Sequence, residues 1–419
     1  MQHNIKKRDY FWNTLGVLLQ NAISPLLLIV VTRVNGINDS GLFSFAFSVS
    51  IVLWSLAMWG GRTYQVSDAT SEFSKRGYVA VRIILGILVM MFALVFVSIN
   101  GYNPEKATLI LILAFLKVLE SIADVIYGIL QVNGRLYTSG ISLTMKVTLG
   151  LVVFVISIIL TRNLLLSSLF IVIVNVLVIA LFDIPKARLA SSMAGRQIKI
   201  NVRKACIEAA AIMKRSSPIL AMSLLAVLSI NIPRYFLDKY HENQIGYFGV
   251  LAMPITLLTL LITFMLQPNV VQLSQLYTKG VLATFMGIIT KIIAYTSIVG
   301  VVVIVGTYLI GVPVLNAIFG IDFTDYKWAL LVVVLGAIAN TIVGIMTNAL
   351  TIMRHFKLQF VTLLIGSILL VPLCATLVPM YGLFGAVAMY SVVNVAQAVG
   401  LYIIYIHIIK RRLLQLSKS

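Results

Sequence analysis

The segment LLLSSLFIVIVNVLVIALFD, residues 164–183, is an almost uninterrupted apolar run. A helix rises about 1.5 Å per residue, so about twenty residues are enough to cross a hydrocarbon core about 30 Å thick. A helix of this length also makes its backbone hydrogen bonds within itself, which a lipid environment requires. The sequence therefore predicts that this segment is a transmembrane helix.

Runs of the same kind recur along all 419 residues. Hydrophobic residues make up 60% of the chain and charged residues only 11%, whereas soluble domains carry roughly 25% charged residues. The predicted spans lie near 14–32, 42–61, 79–99, 108–131, 138–160, 164–183, 216–237, 246–267, 284–309, 328–350, 358–378 and 383–409. We predict an all-α integral membrane protein with about twelve transmembrane helices.

The positions of the basic residues predict the orientation. The formal charge of +19 does not indicate nucleic acid binding, because the bases alternate between the connections and do not cluster on a soluble domain. The bases on the predicted outer side are Arg33, Lys106, Arg162, Arg234, Lys239 and Lys327. The larger basic groups fall on the inner connections and at both ends of the chain, so we predict a cell-membrane protein with both termini in the cytoplasm.

The chain divides into two predicted halves. Residues 1–183 form an amino-terminal six-helix bundle, 184–215 a basic cytoplasmic linker, and 216–419 a carboxyl-terminal six-helix bundle with a basic cytoplasmic tail. The linker could be an amphipathic helix on the anionic inner leaflet or an ordinary basic connection. Both readings stay open at this point.

Short matches between the halves indicate a duplication. The sequence GRLY at 134–137 follows the fourth predicted span and MRHF at 353–356 follows the tenth. The sixth and twelfth spans both carry VNV, at 174–176 and 393–395. Since each half has an even number of spans, the two bundles are expected to be related by a pseudo-two-fold axis along the membrane normal.

These features resemble a known group of transporters. The Thr32-Arg33 end of the first span, GLFSFA at 41–46 and the Gly134-Arg135 turn are similar to the multidrug/oligosaccharidyl-lipid/polysaccharide (MOP) exporter superfamily. Within it, the chain most resembles the Wzx-type polysaccharide flippases. That resemblance implies alternating access between two bundles and translocation of undecaprenyl-diphosphate-linked oligosaccharide repeat units from the inner to the outer leaflet. It also implies polysaccharide polymerases and glycosyltransferases as partners.

Charged residues inside the spans are the first candidates for a functional site, because a charge in the bilayer needs a partner or a wet cavity. Lys117, Glu120 and Asp124 share one face of the fourth span. They could join helices by neutralising one another, or one carboxylate could bind a proton or sodium ion that drives transport. Two acids beside one base predict that one acid stays unpaired.

A second set of candidates is cationic and could bind the diphosphate. Its members are Arg33, Arg234, Lys146, Lys291 and Arg82. Arg33 and Arg234 hold equivalent places in the two halves, and each could instead snorkel to outer headgroups. Lys146 and Lys291 lie deep in their spans, which favours cavity walls, while Arg82 lies near the inner boundary and could snorkel.

The sequence has no Gly-Lys-Ser/Thr phosphate loop and no Cys/His cluster at metal-ligand spacing. We therefore predict no cofactor, no metal and no catalysis, with an ion gradient as the energy source. Two alternatives stay open. One is a multidrug or metabolite exporter of the same superfamily, whose cationic cargo would favour an acidic interior. The other is a membrane-bound polymerase or ligase, for which the outer connections are short.

Overall fold

A computed structural model describes residues 2–68, 72–192, 202–266 and 269–416. Nearly all of these residues are helical, and no strand occurs among them. The α-helices are α1 Gln2–Asn35, α2 Ile37–Ala57, α3 Arg62–Ser67, α4 Lys75–Asn100, α5 Pro104–Val132, α6 Leu136–Thr161, α7 Leu164–Val178, α8 Ile184–Ser192, α9 Val202–Tyr240, α10 Ile245–Leu251, α11 Met253–Leu266, α12 Val270–Thr278, α13 Leu282–Gly306, α14 Val312–Phe319, α15 Lys327–Ile352 and α16 Phe356–Leu416. The predicted all-α class is confirmed.

Nine helices in the described ranges are long and apolar enough to cross a membrane. The predicted count of about twelve differs at three places. Helix α5 carries three charges, Lys117, Glu120 and Asp124, near its middle, and the predicted span 246–267 is divided between α10 and α11. Helix α16 covers two predicted spans and bends at Gly382, whose φ is 53°. The chain spans the membrane several times, and the count of twelve in two bundles stays a prediction.

The chain forms two compact units, Met1–Val227 and Leu228–Ser419. In the first unit α5 packs against α2, α4 and α7, and α1 packs along α6. In the second unit α15 packs along α16 and also contacts α11 and α13. The boundary falls within α9, so residues 202–215 of the predicted linker are helical and continuous with the next predicted span. Residues 193–201 lie outside the described ranges.

A π-helix at Ile179–Asp183 follows α7 directly. Ile171 and Val178 are buried seven residues apart, as in an ordinary α-helix. Ile179 is buried next to Val178, and the buried positions that follow are Asp183, at the end of the wide turn, and Ala190. An acidic side chain at the end of this wide turn is therefore buried in the first unit.

Candidate functional site

The charged face of α5 is fully paired. Lys117 Nζ lies 2.8 Å from Glu120 Oε1. Asp124 accepts a hydrogen bond from the Arg62 backbone N–H at 3.1 Å, and its carboxylate lies 3.7 Å from both the Arg62 and the Arg82 guanidinium. The expectation of one unpaired acid is wrong, because α3 and α4 each bring a base that the spacing within α5 could not reveal.

Arg82 is buried, with 2% of its surface exposed, so the expectation that it snorkels is wrong. Its guanidinium donates to the carbonyl oxygens of Ala57 at 2.8 Å and Trp59 at 2.9 Å. These carbonyls lie at the end of α2, where the last turn of a helix lacks its own donors. Arg82 thus closes one helix and neutralises Asp124, which accounts for its charge without a ligand.

Lys146 is also satisfied from within the chain. It is 5% exposed, and its ammonium lies 2.5 Å from Oδ2 of Asp183, which is fully buried. The same ammonium donates to the Tyr127 hydroxyl at 3.0 Å, and that hydroxyl lies 2.9 Å from Ser142 Oγ. Lys146 therefore faces an acid of this chain. Sequence reasoning missed Asp183; its signal was a lone acid that ends an apolar run next to a span containing a lysine.

Lys291 lies on the exposed side of α13. It begins a stripe of exposed apolar side chains that continues through Tyr295, Ile298 and Val302, each one turn from the last. The buried side of α13 is formed by other residues, including Phe285, Ile289 and Ile292. A stripe of this composition is typical of a surface in contact with lipid. Lys291 is not among the buried charged residues of the described chain.

Arg33 and Arg234 have different surroundings. Arg33 is exposed in the last turn of α1, in the first unit. Arg234 belongs to α9 in the second unit and is partly exposed, but its Nε is buried without a hydrogen-bond acceptor. The Arg234 guanidinium carbon lies 5.4 Å from the centre of the Phe248 ring. Such a contact with an aromatic face favours a positive charge at this place.

The neighbourhood of Arg234 contains further polar atoms without partners. Tyr390 interacts with Arg234 electrostatically, is 1% exposed, and has a buried hydroxyl that makes no hydrogen bond. Oδ1 of Asn394, one turn further along α16, is also buried and unpaired. The Tyr390 ring packs on Gly336 so closely that a Cβ there would lie 2.8 Å from it. Within the described residues no carboxylate pairs with Arg234, and neither its Nε nor the Tyr390 hydroxyl makes a hydrogen bond.

The two candidate sites therefore differ in charge balance. In the first unit, the acids Asp124 and Asp183 are each joined to a base. In the second unit, Arg234 has no carboxylate partner among the described residues and lies near the Tyr390 hydroxyl. Among the residues that the structure describes, no group of three or more His, Cys, Asp or Glu side chains could hold a metal ion.

Comparison with known proteins places this fold. No family model matches the chain. The capsular polysaccharide biosynthesis protein CapF of Staphylococcus aureus is 23% identical over 381 residues, which cover 91% of this chain and 94% of that protein.

Two solved structures are similar to this chain over nearly its whole length. An inward-facing multidrug resistance MATE family transporter of the MOP superfamily has a TM-score of 0.71 at 14% identity, with 94% of this chain and 95% of that chain covered. The lipid II flippase MurJ in an inward closed conformation has a TM-score of 0.68 at 13% identity, with 98% and 91% covered. The chain therefore has the fold of the MOP exporter superfamily, and the predicted resemblance is confirmed.

Proposed function

We propose that this protein is a flippase that moves undecaprenyl-diphosphate-linked oligosaccharide repeat units from the inner to the outer leaflet by alternating access. The observation that carries the proposal is the buried, unpaired Nε of Arg234 beside the unpaired Tyr390 hydroxyl. A guanidinium nitrogen that is buried without an acceptor is costly, so this place favours an anionic ligand. A diphosphate supplies several acceptor oxygens for such donors, and Arg matches phosphate geometry well.

The relatives support the same class of cargo. One is named for capsular polysaccharide biosynthesis, and another is a flippase for lipid II. In the proposed mechanism Arg234 and Tyr390 hold the diphosphate. Arg33, in the first unit, stays a separate candidate for a phosphate contact. The lipid tail stays in the bilayer. Polysaccharide polymerases and glycosyltransferases are the proposed partners on either side of the transport step.

A multidrug or metabolite exporter is the second candidate, and the likeness to a multidrug resistance transporter favours it. Cationic cargo requires an uncompensated acid in the transport path. In the described part of the spans, Glu120, Asp124 and Asp183 each have a basic partner. Arg234, which has no carboxylate partner among the described residues, is positive and would repel cationic cargo. This difference favours the flippase.

The rest of the proposal concerns orientation and energy. Both termini lie in the cytoplasm, as the distribution of basic residues predicts. Transport needs no catalytic residue, since no covalent bond changes. An ion gradient supplies the energy.

The test is the amount of undecaprenyl-diphosphate-linked oligosaccharide at the inner leaflet of cells that lack the protein. We expect accumulation that wild type and Lys291→Gln relieve and Arg234→Gln does not. Lys291→Gln is the matched control, because it also removes one positive charge from the second unit but at an exposed site. Relief by Arg234→Gln would contradict the role of Arg234, and an absence of accumulation would overturn the flippase proposal in favour of the exporter.

A further inference from the structure

The Lys146–Asp183 pair has the geometry of a site that takes up a proton. From its geometry we infer that the first unit contains a proton-binding site at Asp183 Oδ1, in which Lys146 exchanges Asp183 for Glu120 as its partner. The candidates that the sequence offered for ion binding all lie on α5. The structure points instead to an acid outside that helix.

Asp183 uses only half of its carboxylate. Oδ2 accepts the hydrogen bond from Lys146, whereas Oδ1 is buried and has no partner in the part of the chain that the structure describes. Buried carboxylate oxygens are normally satisfied, so an empty one requires an explanation. A proton on Oδ1 removes the negative charge and leaves Oδ2 as a neutral acceptor, which the buried surroundings favour whenever Lys146 is held elsewhere.

A second carboxylate, that of Glu120, is available as a partner for Lys146. It already donates to the Tyr127 hydroxyl on α5 at 3.0 Å. Glu120 lies two turns before Tyr127 on the same face of α5, and its charge acts on Lys146. The ammonium is therefore bonded to the carboxylate of Asp183 and attracted by that of Glu120. This is a two-position element in which protonation of one acid decides the partner of the base.

The proton balance is simple. A proton from water forms an O–H bond with Asp183 Oδ1, and Asp183 becomes neutral. Lys146 keeps its own proton and its positive charge and moves towards Glu120 through the Tyr127 hydroxyl. When Asp183 releases the proton to water, its carboxylate recovers the ammonium, so one proton enters and one leaves per cycle.

Every charged or titratable neighbour is consistent with this exchange. From α5 the pair is faced by Glu120, Asp124 and Tyr127, of which Glu120 is bonded to Lys117 and Asp124 to Arg62 and Arg82. From α6 it is faced by Ser142. The charged residues of α1 that contact α6 do so at the first turn of α6. There Arg8 stacks on the Tyr137 ring, and Asp9 accepts a hydrogen bond from the Tyr137 backbone N–H. On α8, Lys186 is exposed over Phe182.

The backbone at Asp183 supports movement. Asp183 ends the π-helix Ile179–Asp183, and a single wide turn of this kind can convert to α-helix by moving one residue along the segment. That conversion would rotate the Asp183 side chain about the helix axis, because a wide turn contains one residue more than an α-helical turn. The proton and the local helix geometry are therefore linked. The inference rests on the proposed function only for what the proton drives, which is translocation of the lipid-linked cargo.

Infrared difference spectroscopy of the full-length protein tests the site without any cargo. The purified protein is placed in lipid vesicles and compared between acidic and alkaline buffer. We expect one buried carboxylic acid C=O band that appears on acidification in wild type and in Asp124→Asn, and is absent in Asp183→Asn. In Glu120→Gln the same band should need a more acidic buffer, because Lys146 has lost its second partner.

Asp183→Asn leaves Lys146 buried without an anion and could fail to fold. The double variant Lys146→Met/Asp183→Asn removes both charges and avoids that cost, and it should fold and lack the band. A band that persists in both variants, or one that disappears in Glu120→Gln, would overturn the inference. Since the vesicles contain no lipid-linked oligosaccharide, a failure of the flippase proposal in cells would leave this result unaffected.

Discussion

Ser74 and Glu208 are joined twice. The Ser74 backbone N–H donates to Glu208 Oε2 at 3.1 Å, and the Ser74 hydroxyl donates to the same oxygen. The contact links the start of α4 to the early turns of α9, within the first unit. A carboxylate that accepts two hydrogen bonds at the first turn of a helix also interacts favourably with the positive end of the helix dipole.

Glu208→Ala should therefore lower the free energy of unfolding by about 1–3 kcal/mol, the usual range for losing charge-assisted hydrogen bonds at a partly buried group. Glu208→Gln keeps a neutral acceptor and should lose less. Thermal unfolding of the purified protein measures both. Equal stability of Glu208→Ala and wild type would show that water replaces the carboxylate at no cost.

Tyr390→Phe separates binding from stability. The hydroxyl is buried and unpaired, so its removal should leave the free energy of unfolding unchanged or raise it. If the hydroxyl donates to a bound phosphate, its loss should weaken cargo binding about tenfold, which corresponds to about 1.4 kcal/mol. Binding of the lipid-linked oligosaccharide to purified variants checks this. Unchanged affinity would remove Tyr390 from the site.

Arg82→Met should be among the most damaging substitutions in the first unit. It removes the donors that close α2 and one of the two bases beside Asp124. We expect a loss of about 3–5 kcal/mol, as for other broken buried ion pairs. Arg62→Met is the control, because Arg62 is more exposed and such pairs contribute about 0–1 kcal/mol. Similar losses for the two variants would contradict the structural role of Arg82.

Gly336→Ala should disturb the Arg234 site from behind. A Cβ at this position would collide with Ser391 Oγ and with the Tyr390 ring. Overpacking of this kind costs about 1–3 kcal/mol and would displace Tyr390. Gly287→Ala is the matched control, since nothing lies within 4 Å of its added Cβ, and it should stabilise α13 by about 0.5–1 kcal/mol. Thermal unfolding of both variants gives the comparison.

Asp322 should make the α14–α15 connection sensitive to acid. Its Oδ1 accepts from the Thr324 hydroxyl at 2.5 Å, from the Thr324 N–H at 3.0 Å and from Asn316 Nδ2 at 3.1 Å. These hydrogen bonds hold the pKa of the Asp322 carboxyl below its usual value. Their stabilisation is therefore complete above the unfolded-state value, near 3.9, and is lost as pH falls through the lower folded-state value.

Limited proteolysis at decreasing pH, with an acid-stable protease, checks the role of Asp322. Cleavage at the connection should rise in wild type as the carboxyl is protonated. Asp322→Asn should be cleaved at a rate that does not change over the same range. A pH-dependent rate in that variant would assign the effect to another group.

The sequence was a good guide to the helices because hydrophobic runs of fixed length have one physical solution in lipid. It was a poor guide to charge pairing. Asp124 meets Arg62 and Arg82, and Lys146 meets Asp183, only because helices far apart in sequence pack together. Asp183 in particular ends a π-helix, and no periodic pattern indicates where one extra residue enters a turn.

Among the basic candidates, the outcome depended on which helix face each residue occupied. Lys146 and Lys291 both lie in the middle of apolar helices, and nothing local distinguishes them. One is buried against an acid and the other is exposed beside apolar side chains. Only Arg234 combines a buried guanidinium nitrogen with the lack of a carboxylate, in the part of the chain that the structure describes. Its role as a cargo ligand stays a prediction.

The bend at Gly382 has a consequence for local motion. Two side chains from the segment that follows α9 bond its backbone: Gln244 Oε1 accepts from the Leu383 N–H at 2.7 Å, and the His241 ring lies 3.1 Å from the Pro379 carbonyl oxygen. These two hydrogen bonds hold the bend of α16 against the segment that follows α9, within the second unit. The backbone amide of Leu383 should therefore exchange with deuterium as slowly as the amides on either side of the bend. The two parts of α16 should open as one cooperative element.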